Sequence, residues 1–357
     1  MDAFPEFMRN PLNRIARSNQ ATPGVQGCVF GGADRSQMAF WSLSRHIFLG
    51  VVCLVSALWV FPLSLATGNE AACTLCFYGP DNIVFDAAGN AYITDNDHKS
   101  HFRVLKVSPQ GTRIAEWRVF RAVRGRSSGP EGIAIDSDGN IFVTDGGTLR
   151  VLKFSPTGKV LTSIGSKHPW FHDLGHVAVD SAGYIYVAEG GANRIQKFSP
   201  DGTRVAVWQR SKGNGSDQWN TPETIAVRSD GSLVVEDAGN HRIVVISTLS
   251  GRTQFVFGGR GNGPGQFVED EGSGVDDEGN IYVSDWTLHR VQKFDPYGKL
   301  LSTISNSGDN VLFSQNGPAG VTVDAHGNLY SVDGYGTAGR MSVVKFSQKG
   351  KLLARWH

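Results

Sequence analysis

The sequence has little cysteine, little methionine and almost no net charge. Its 357 residues include four cysteines and four methionines, with 34 Lys and Arg residues against 33 Asp and Glu residues. A nearly neutral chain lacks the electrostatic footprint of a nucleic-acid-binding protein. The 44 glycines and the scarcity of long helix-favouring runs argue against a helical bundle. We therefore expect an all-β protein with many turns and no nucleic-acid partner.

One long hydrophobic stretch lies near the start of the chain. Residues 47–66 carry no charge and are numerous enough to span a membrane as a helix. Ser64 and Ala66 put small residues at the −3 and −1 positions of a signal-peptidase site. We expect either a cleaved signal peptide or a retained signal anchor. Residues 1–46 are then an N-terminal extension, of which residues 1–37 are an artefact of the start site if translation begins at Met38.

The charges beside this stretch predict where the remaining chain lies. Arg45 comes just before it, and no Lys or Arg follows until Lys99. Because basic residues stay on the cytoplasmic side, we expect the domain after this stretch to be periplasmic or secreted, or anchored in the membrane with that domain outside the cytoplasm. Residues 67–76 form a linker that contains Cys73 and Cys76. This C-x-x-C pair predicts a local disulfide in an oxidising compartment, since no thioredoxin-like strand and helix follow it.

A repeat fills the rest of the chain. Residues 77–357 divide into six units of about 47 residues, which is within the range of propeller blades. The recurring lines are PDNIVFDAAGNAYITD from Pro80, PEGIAIDSDGNIFVTD from Pro130, LGHVAVDSAGYIYVAE from Leu174, PETIAVRSDGSLVVED from Pro222, DEGSGVDDEGNIYVSD from Asp270 and PAGVTVDAHGNLYSVD from Pro318.

Each unit has the pattern of four antiparallel strands. A glycine before the fourth strand is followed six residues later by a large apolar residue, as at Gly111 and Trp117 or Gly158 and Ile164. A four-stranded sheet cannot bury both of its faces alone, so six such sheets stacked around an axis are the stable arrangement. The sequence therefore predicts a six-bladed β-propeller, and we expect it to be a monomer.

The repeat resembles a known family. Residues 190–200, GGANRIQKFSP, and residues 238–243, AGNHRI, are similar to the NHL repeat. The chain looks like an extracytoplasmic NHL protein and, more distantly, like the peptidyl-hydroxyglycine amidating lyase and lactonase-type propellers. The resemblance implies the fold, but it does not select one function, because family members bind proteins or RNA, act as sensors or catalyse reactions.

Acidic residues recur where the second strand of each unit ends. Four of them precede an arginine by five residues, and a charge-assisted hydrogen bond across the hairpin is expected for each. We interpret these as structural pairs: Asp145 and Arg150, Glu189 and Arg194, Asp237 and Arg242, and Asp285 and Arg290.

A second acidic set lies where the first strand of each unit begins, next to the predicted central channel. Four units place a carboxylate there, namely Asp81, Glu131, Glu223 and Glu271, whereas the other two have Gly175 and Ala319. Carboxylates gathered at one mouth raise one another's pKa unless a cation neutralises them, and hard oxygen ligands suit calcium. The alternative is that each caps a turn or stays solvated at the rim.

The family resemblance bears on these positions. In the amidating lyase, histidines at the corresponding strand starts hold a catalytic zinc, whereas here only His176 and His172 lie near such a start. Calcium therefore fits the sequence better than zinc, and Glu131, His172 and His176 are the candidate catalytic residues.

Three functions follow as expectations. The first is an exported module that binds a protein or small-molecule ligand through the face at the channel mouth. The alternative is a metal-dependent lyase or lactonase-like enzyme, in which the metal polarises a carbonyl or activates water. A scaffold of the cell envelope is a third possibility.

Overall fold

The computed structural model describes residues 75–97, 101–118, 120, 129–165, 170–306, 312–313, 317–333 and 341–357. The hydrophobic stretch 47–66, the alternative start at Met38 and Cys73 of the predicted disulfide lie outside this part of the chain. In the residues that are described, no helix is long and apolar enough to cross a bilayer. Ala72–His357 form one compact unit.

The described residues form six separate four-stranded antiparallel sheets, each built from four consecutive strands. The strands, four to a blade in chain order, are β1 (Pro80–Phe85), β2 (Ala91–Asn96), β3 (Phe102–Val107), β4 (Arg113–Trp117); β5 (Pro130–Ile135), β6 (Ile141–Asp145), β7 (Arg150–Phe154), β8 (Val160–Ile164); β9 (Val177–Val179), β10 (Ile185–Glu189), β11 (Arg194–Phe198), β12 (Arg204–Gln209); β13 (Pro222–Val227), β14 (Ser232–Asp237), β15 (Arg242–Ser247), β16 (Thr253–Gly258); β17 (Asp270–Val275), β18 (Ile281–Asp285), β19 (Arg290–Phe294), β20 (Leu300–Ser305); β21 (Pro318–Val323), β22 (Leu329–Asp333), β23 (Ser342–Phe346) and β24 (Leu352–Trp356).

The six sheets are the blades of a propeller. The first strand of each blade contacts the first strand of the next, and β21 of the last blade contacts β1 of the first. The first strands therefore surround the axis, and the fourth strands form the outer rim. Apart from two short 3-10 turns at Gly190–Ala192 and Ala238–Asn240, the described secondary structure is all β. The predicted six-bladed all-β propeller is confirmed.

The hydrophobic cores lie between blades. Each apolar cluster combines side chains of two adjacent sheets, as when Ile141 and Val143 of β6 pack with Tyr92 and Val104 of the first blade. The second strands are buried along their whole length, whereas every fourth strand has two or more exposed residues. Burial of one sheet face against the next blade is thus the main apolar contribution to stability.

The ring closes by packing and without exchange of a strand. Leu75 and Phe77, just before β1, lie in the apolar cluster that joins the last blade to the first, together with Trp356. The backbone N–H of Leu75 donates to the carbonyl oxygen of His357 over 2.9 Å. Leu75, which lies between the two cysteines of the C-x-x-C pair, and Phe77, which follows them, therefore cover the seam between the two ends of the ring.

The glycine that precedes each fourth strand makes room for the neighbouring blade. At Gly111, with φ +83°, a β-carbon would lie 2.6 Å from Cδ1 of Trp356 in the last blade. The same holds at Gly158, where a β-carbon would meet the indole of Trp117 in the preceding blade. The large apolar residue that ends one blade's fourth strand thus packs against the glycine of the following blade.

Candidate functional site

The ends of the strands define one face of the propeller as the mouth face, where first strands begin and second strands end. Pro80 at the start of β1 pairs with Asp95 near the end of β2, and Pro130 pairs with Asp145 in the second blade. Both predicted sets of acidic residues therefore emerge on this face.

The structure places all four predicted mouth carboxylates at the second residue of a first strand: Asp81 in β1, Glu131 in β5, Glu223 in β13 and Glu271 in β17. Glu271 interacts electrostatically with Glu223 of the neighbouring blade and with Asp81. The geometry thus brings three of the four carboxylates into one electrostatic neighbourhood.

The predicted hairpin pairs form close contacts across the second and third strands. The N–O distances are 3.5 Å for Arg150 and Asp145, 2.7 Å for Arg194 and Glu189, 2.8 Å for Arg242 and Asp237, and 3.2 Å for Arg290 and Asp285. These carboxylates also accept backbone N–H bonds, as Asp237 does from Asn220. Such partners fix the loops of the mouth face and leave these carboxylates occupied.

Two further pairs complete the ring of hairpins. Asp95 contacts Arg103 of β3 at 2.6 Å, and Asp333 contacts Arg355 of β24 at 3.0 Å. The five-residue spacing does not reveal them, because the loop before Arg103 is longer and because Arg355 comes from the fourth strand. The sequence signal that would find these two carboxylates is their position, because each stands at the same place in its repeat unit as the other four.

Two site residues that sequence reasoning missed are Glu236 and Asp270. Glu236 is the last residue but one of β14, where the other blades have Thr94, Thr144, Ala188, Ser284 and Val332. Asp270 begins β17, where the other blades have a proline or a leucine. Both depart from the repeat, they lie in adjacent blades, and they interact with each other. Departures from a repeat, rather than its recurring residues, are the signal that would have found them.

The two carboxyl groups are buried without enough partners. Glu236 is 0% exposed and Asp270 is 5% exposed. The Thr224 hydroxyl donates to Oε2 of Glu236, but Oε1 of Glu236 and both carboxyl oxygens of Asp270 have no hydrogen-bond partner. Nδ1 of His241 lies 3.8 Å from Oδ1 of Asp270, beyond hydrogen-bond distance. Burying a charged carboxylate without a hydrogen-bond partner or a counter-charge destabilises the folded protein.

Burial and like charges act together on three carboxyl groups. Burial, followed by the charge of Asp270, raises the pKa of Glu236 well above its usual range. Burial and the nearby charges of Glu271 and Glu223 do the same for the pKa of Asp270. The pKa of Glu271 is also raised, first by burial and then by Glu223. Among the described residues, no Lys or Arg side chain forms an ion pair with these three groups.

His176 is held inside the channel. The side-chain amide of Asn82 in the first blade donates a hydrogen bond of 3.0 Å to Nδ1 of His176 in the third blade. The second blade lies between them and has Gly132, which lacks a side chain, at the equivalent position. Burial lowers the pKa of His176 to about 4, so the ring is neutral at physiological pH and carries its proton on Nε2. His172, by contrast, is exposed, and its backbone N–H donates to Glu189.

The described carboxylates and histidines of the mouth face are too far apart to form a metal site. Within the described ranges, no three His, Cys, Asp or Glu side chains converge closely enough to hold one. Calcium takes six to eight oxygen ligands, and catalytic zinc takes three protein ligands. The side-chain geometry of the described mouth therefore does not fit either ion as it stands.

Comparison with known proteins agrees with this architecture. The profile of the SMP-30/gluconolactonase/LRE-like region matches residues 58–170, and the NHL repeat profile matches residues 220–246. No curated protein sequence matches the chain. These two matches cover separate parts of the chain and confirm the resemblance to NHL-repeat and lactonase-type propellers.

Solved structures share the fold. Virginiamycin B lyase from Staphylococcus aureus is 17% identical, with a TM-score of 0.54 over 78% of this chain and 84% of that one. A Bacteroides thetaiotaomicron protein of unknown function is 18% identical, with a TM-score of 0.59 over 75% and 69%. A chain of a nidogen/laminin complex is 18% identical, with a TM-score of 0.54 over 72% and 91%. At this identity the likeness establishes the fold alone.

Proposed function

We propose that the propeller is a binding module whose ligand enters the mouth face and presents a positively charged group to it. The observation that carries this proposal is the set of Glu236, Asp270 and Glu271, three buried or half-buried carboxyl groups with raised pKa values and no Lys or Arg partner among the described residues. A cation brought to this set would lower its electrostatic energy, since like charges in a poorly solvated site repel strongly.

The surrounding surface supports attraction of such a ligand. Glu223 is exposed at the start of β13, and Glu269 and Glu271 flank Asp270 at the start of the fifth blade. The arginines of this region are engaged by the hairpin carboxylates, as Arg242 is by Asp237. Carboxylates at the rim of a low-dielectric cleft raise the local concentration of cations and speed their association. The apolar stretch 47–66 supports the proposal that this module acts outside the cytoplasm.

The proposal predicts saturable binding of a polyamine. We expect spermidine to bind the full chain with a stoichiometry of one, as measured by isothermal titration calorimetry. The double substitution Glu223→Gln and Glu271→Gln should weaken binding at least tenfold, because it removes two charges from the mouth face. A matched control is Asp138→Asn, which removes an exposed carboxylate from a turn on the opposite face. Loss of binding in both variants, or in neither, would contradict a mouth site.

A metal-dependent lyase or lactonase-like enzyme is the second proposal. It is favoured by the match of residues 58–170 to the SMP-30/gluconolactonase/LRE-like region. If it holds, the mouth carboxylates move together around an ion, so that the purified full chain retains stoichiometric calcium and chelation lowers its melting temperature. Glu131→Gln then abolishes turnover of a lactone without lowering that temperature. Elemental analysis that finds no calcium or zinc, together with no response to chelation, counts against this proposal and leaves the spermidine test unaffected.

A further inference from the structure

The large apolar side chain near the end of each fourth strand fills the gap between its own blade and the next one. Between the first two blades, the centroid of the Trp117 ring lies 5.6 Å from that of Tyr92 in its own blade. It lies 5.3 Å from that of Phe154 in the second blade, and the indole covers Gly158. Four of the six blades have an aromatic residue at this place, namely Trp117, Trp208, Phe257 and Trp356.

The other two blades have an isoleucine there, which is smaller than an aromatic residue. Beside Ile164, a second aromatic ring compensates for the difference. Trp170 packs in the same apolar cluster, and its ring centroid lies 5.6 Å from that of Phe198 in the third blade. The next residue, Phe171, also packs on Phe198. The gap between the second and third blades therefore still contains an indole.

The gap between the fifth and sixth blades has a smaller residue at both places. Its isoleucine is Ile304, and the phenylalanine that enters the gap from the following loop is Phe313. Phe313 packs on Phe346 with ring centroids 5.5 Å apart, and the residue before it is Leu312, where the other isoleucine gap has a tryptophan. An isoleucine and a leucine thus replace the two rings that fill the other gaps.

A cleft of about 400 Å³ lies beside these two residues. Ile304 and Tyr282 of the fifth blade line it, together with Leu329 and Gly350 of the sixth. Tyr282 and Gly350 are the counterparts of the tyrosine and the glycine between which the first blade holds its indole. Pockets for small molecules begin at about 300 Å³, and an apolar cavity left by a missing side chain can hold a small aromatic molecule. The cleft therefore has the size and the walls to receive one aromatic ring.

The rim of the cleft is polar and positively charged. Lys293 and Lys349 line it with the hydroxyl groups of Ser302 and Ser347, whereas its described lining includes no Asp or Glu. Nζ of Lys293 lies 3.4 Å from Oδ2 of Asp276, which neutralises this lysine. Lys349 is exposed and supplies the remaining charge. Because opposite charges attract at such a rim, an anionic group on the ring is favoured.

We propose that this cleft binds a ligand with an aromatic ring of indole size that carries an anionic group. The ring lies between Tyr282 and Gly350, and the anionic group reaches Lys349 at the rim. The cleft is on the outer side of the propeller, between β20 and the turn that joins β23 to β24. It is a second binding site with the opposite charge preference to the mouth face, and it does not rest on the proposed function.

Filling the cleft with a side chain tests the site. Indole-3-acetate should bind the full chain with a stoichiometry of one in isothermal titration calorimetry. Ile304→Trp should weaken this binding by at least about tenfold, because the new indole takes the space of the ligand ring. The melting temperature of this variant should be unchanged or higher, since the ring fills an empty volume. Spermidine binding at the mouth should be unaffected, so the two proposals fail independently.

A second tryptophan variant is the control. Leu161→Trp adds the same ring at a side chain that is 48% exposed on the outer rim, and it should leave the affinity for indole-3-acetate unchanged. Equal affinities of Ile304→Trp and the unsubstituted chain overturn the proposal, and so does an equal loss in both variants. A large fall in the melting temperature of Ile304→Trp also overturns it, because the cleft would then not accept a ring.

The anionic group is tested by removing charge from either partner. Indole-3-acetate should bind at least about threefold more tightly than uncharged 3-methylindole, as expected for a solvent-screened pair. Lys349→Gln should abolish this difference. Lys351→Gln removes an exposed lysine two residues away that does not line the cleft, and it should preserve the difference. Equal binding of the two compounds by the unsubstituted chain overturns the anionic group.

A brominated ligand locates the site without any variant. In crystals of the full chain with 5-bromoindole-3-acetate, the anomalous signal of bromine should lie in the cleft between Tyr282 and Gly350. Bromine found only at the mouth face, only at contacts between molecules, or at no fixed position overturns the proposal.

Discussion

Replacing Arg103 by methionine should lower the free energy of unfolding by about 3–5 kcal/mol, because a buried carboxylate loses its counter-charge. Arg103 is 2% exposed, and its Nε lies 2.6 Å from Oδ2 of Asp95, which is fully buried. Its guanidinium also donates to the carbonyl oxygens of Leu75 and Cys76 and lies over the ring of Tyr78. The substitution therefore weakens the first hairpin and the segment that closes the ring together.

Urea denaturation measures this loss, and the repeat supplies its control. Arg150 holds the equivalent place in the second blade, but it is 33% exposed and its Nε lies 3.5 Å from Asp145. Arg150→Met should cost about 1 kcal/mol, as for a solvent-screened pair. Equal costs for the two substitutions would contradict the role we give to burial. Burial raises the pKa of Asp95 even beside Arg103, so the variant should recover part of its stability at low pH, where Asp95 is protonated.

Leu75→Ala should cost about 2–5 kcal/mol, although Leu75 lies outside every strand. Its side chain is fully buried among Ile93, Val332 and Trp356, in the core that joins the last blade to the first. The substitution leaves a cavity at the one seam that no continuous chain crosses. We expect a lower midpoint of urea denaturation with an unchanged slope, since the same fold is lost in the same transition.

An exposed leucine provides the comparison for Leu75. Leu161 of β8 is 48% exposed on the outer rim, and its replacement by alanine should change stability by less than about 0.5 kcal/mol. If Leu75→Ala is equally mild, the seam is held by other contacts and the segment before β1 does not close the ring. Both substitutions remove the same three heavy atoms, so the difference between them reports burial alone.

The sequence predicted the fold because the blade repeats locally. Each line of the repeat carries its own turn and its own second strand, so periodicity along the chain specifies one sheet and its number of copies. The glycine and apolar pairs, such as Gly111 and Trp117, were visible as a spacing within one unit. The spacing did not show which residues are in contact. The glycine of one blade accommodates the apolar residue of the preceding blade, so that Gly111 packs against Trp356 and not against Trp117.

The candidate site was predicted only in part, and for a similar reason. The carboxylates at the first-strand starts recur and were found, and the structure places Glu271 near Glu223 and Asp81. Glu236 stands where three other blades have a hydroxyl side chain, and Asp270 stands where four have a proline, so a search for recurring carboxylates passes over them. Their contact depends on how one blade's second strand faces the next blade's first strand. The Asn82 and His176 hydrogen bond skips a blade altogether, and no local pattern encodes it.

The location of a bound polyamine tests the central claim most directly. A crystal structure of the full chain with spermidine should show an amine nitrogen within hydrogen-bond distance of the Asp270 or Glu271 carboxyl group, on the mouth face between the fourth and fifth blades. Spermidine bound only at the outer rim, or only on the face opposite the mouth, would contradict the account.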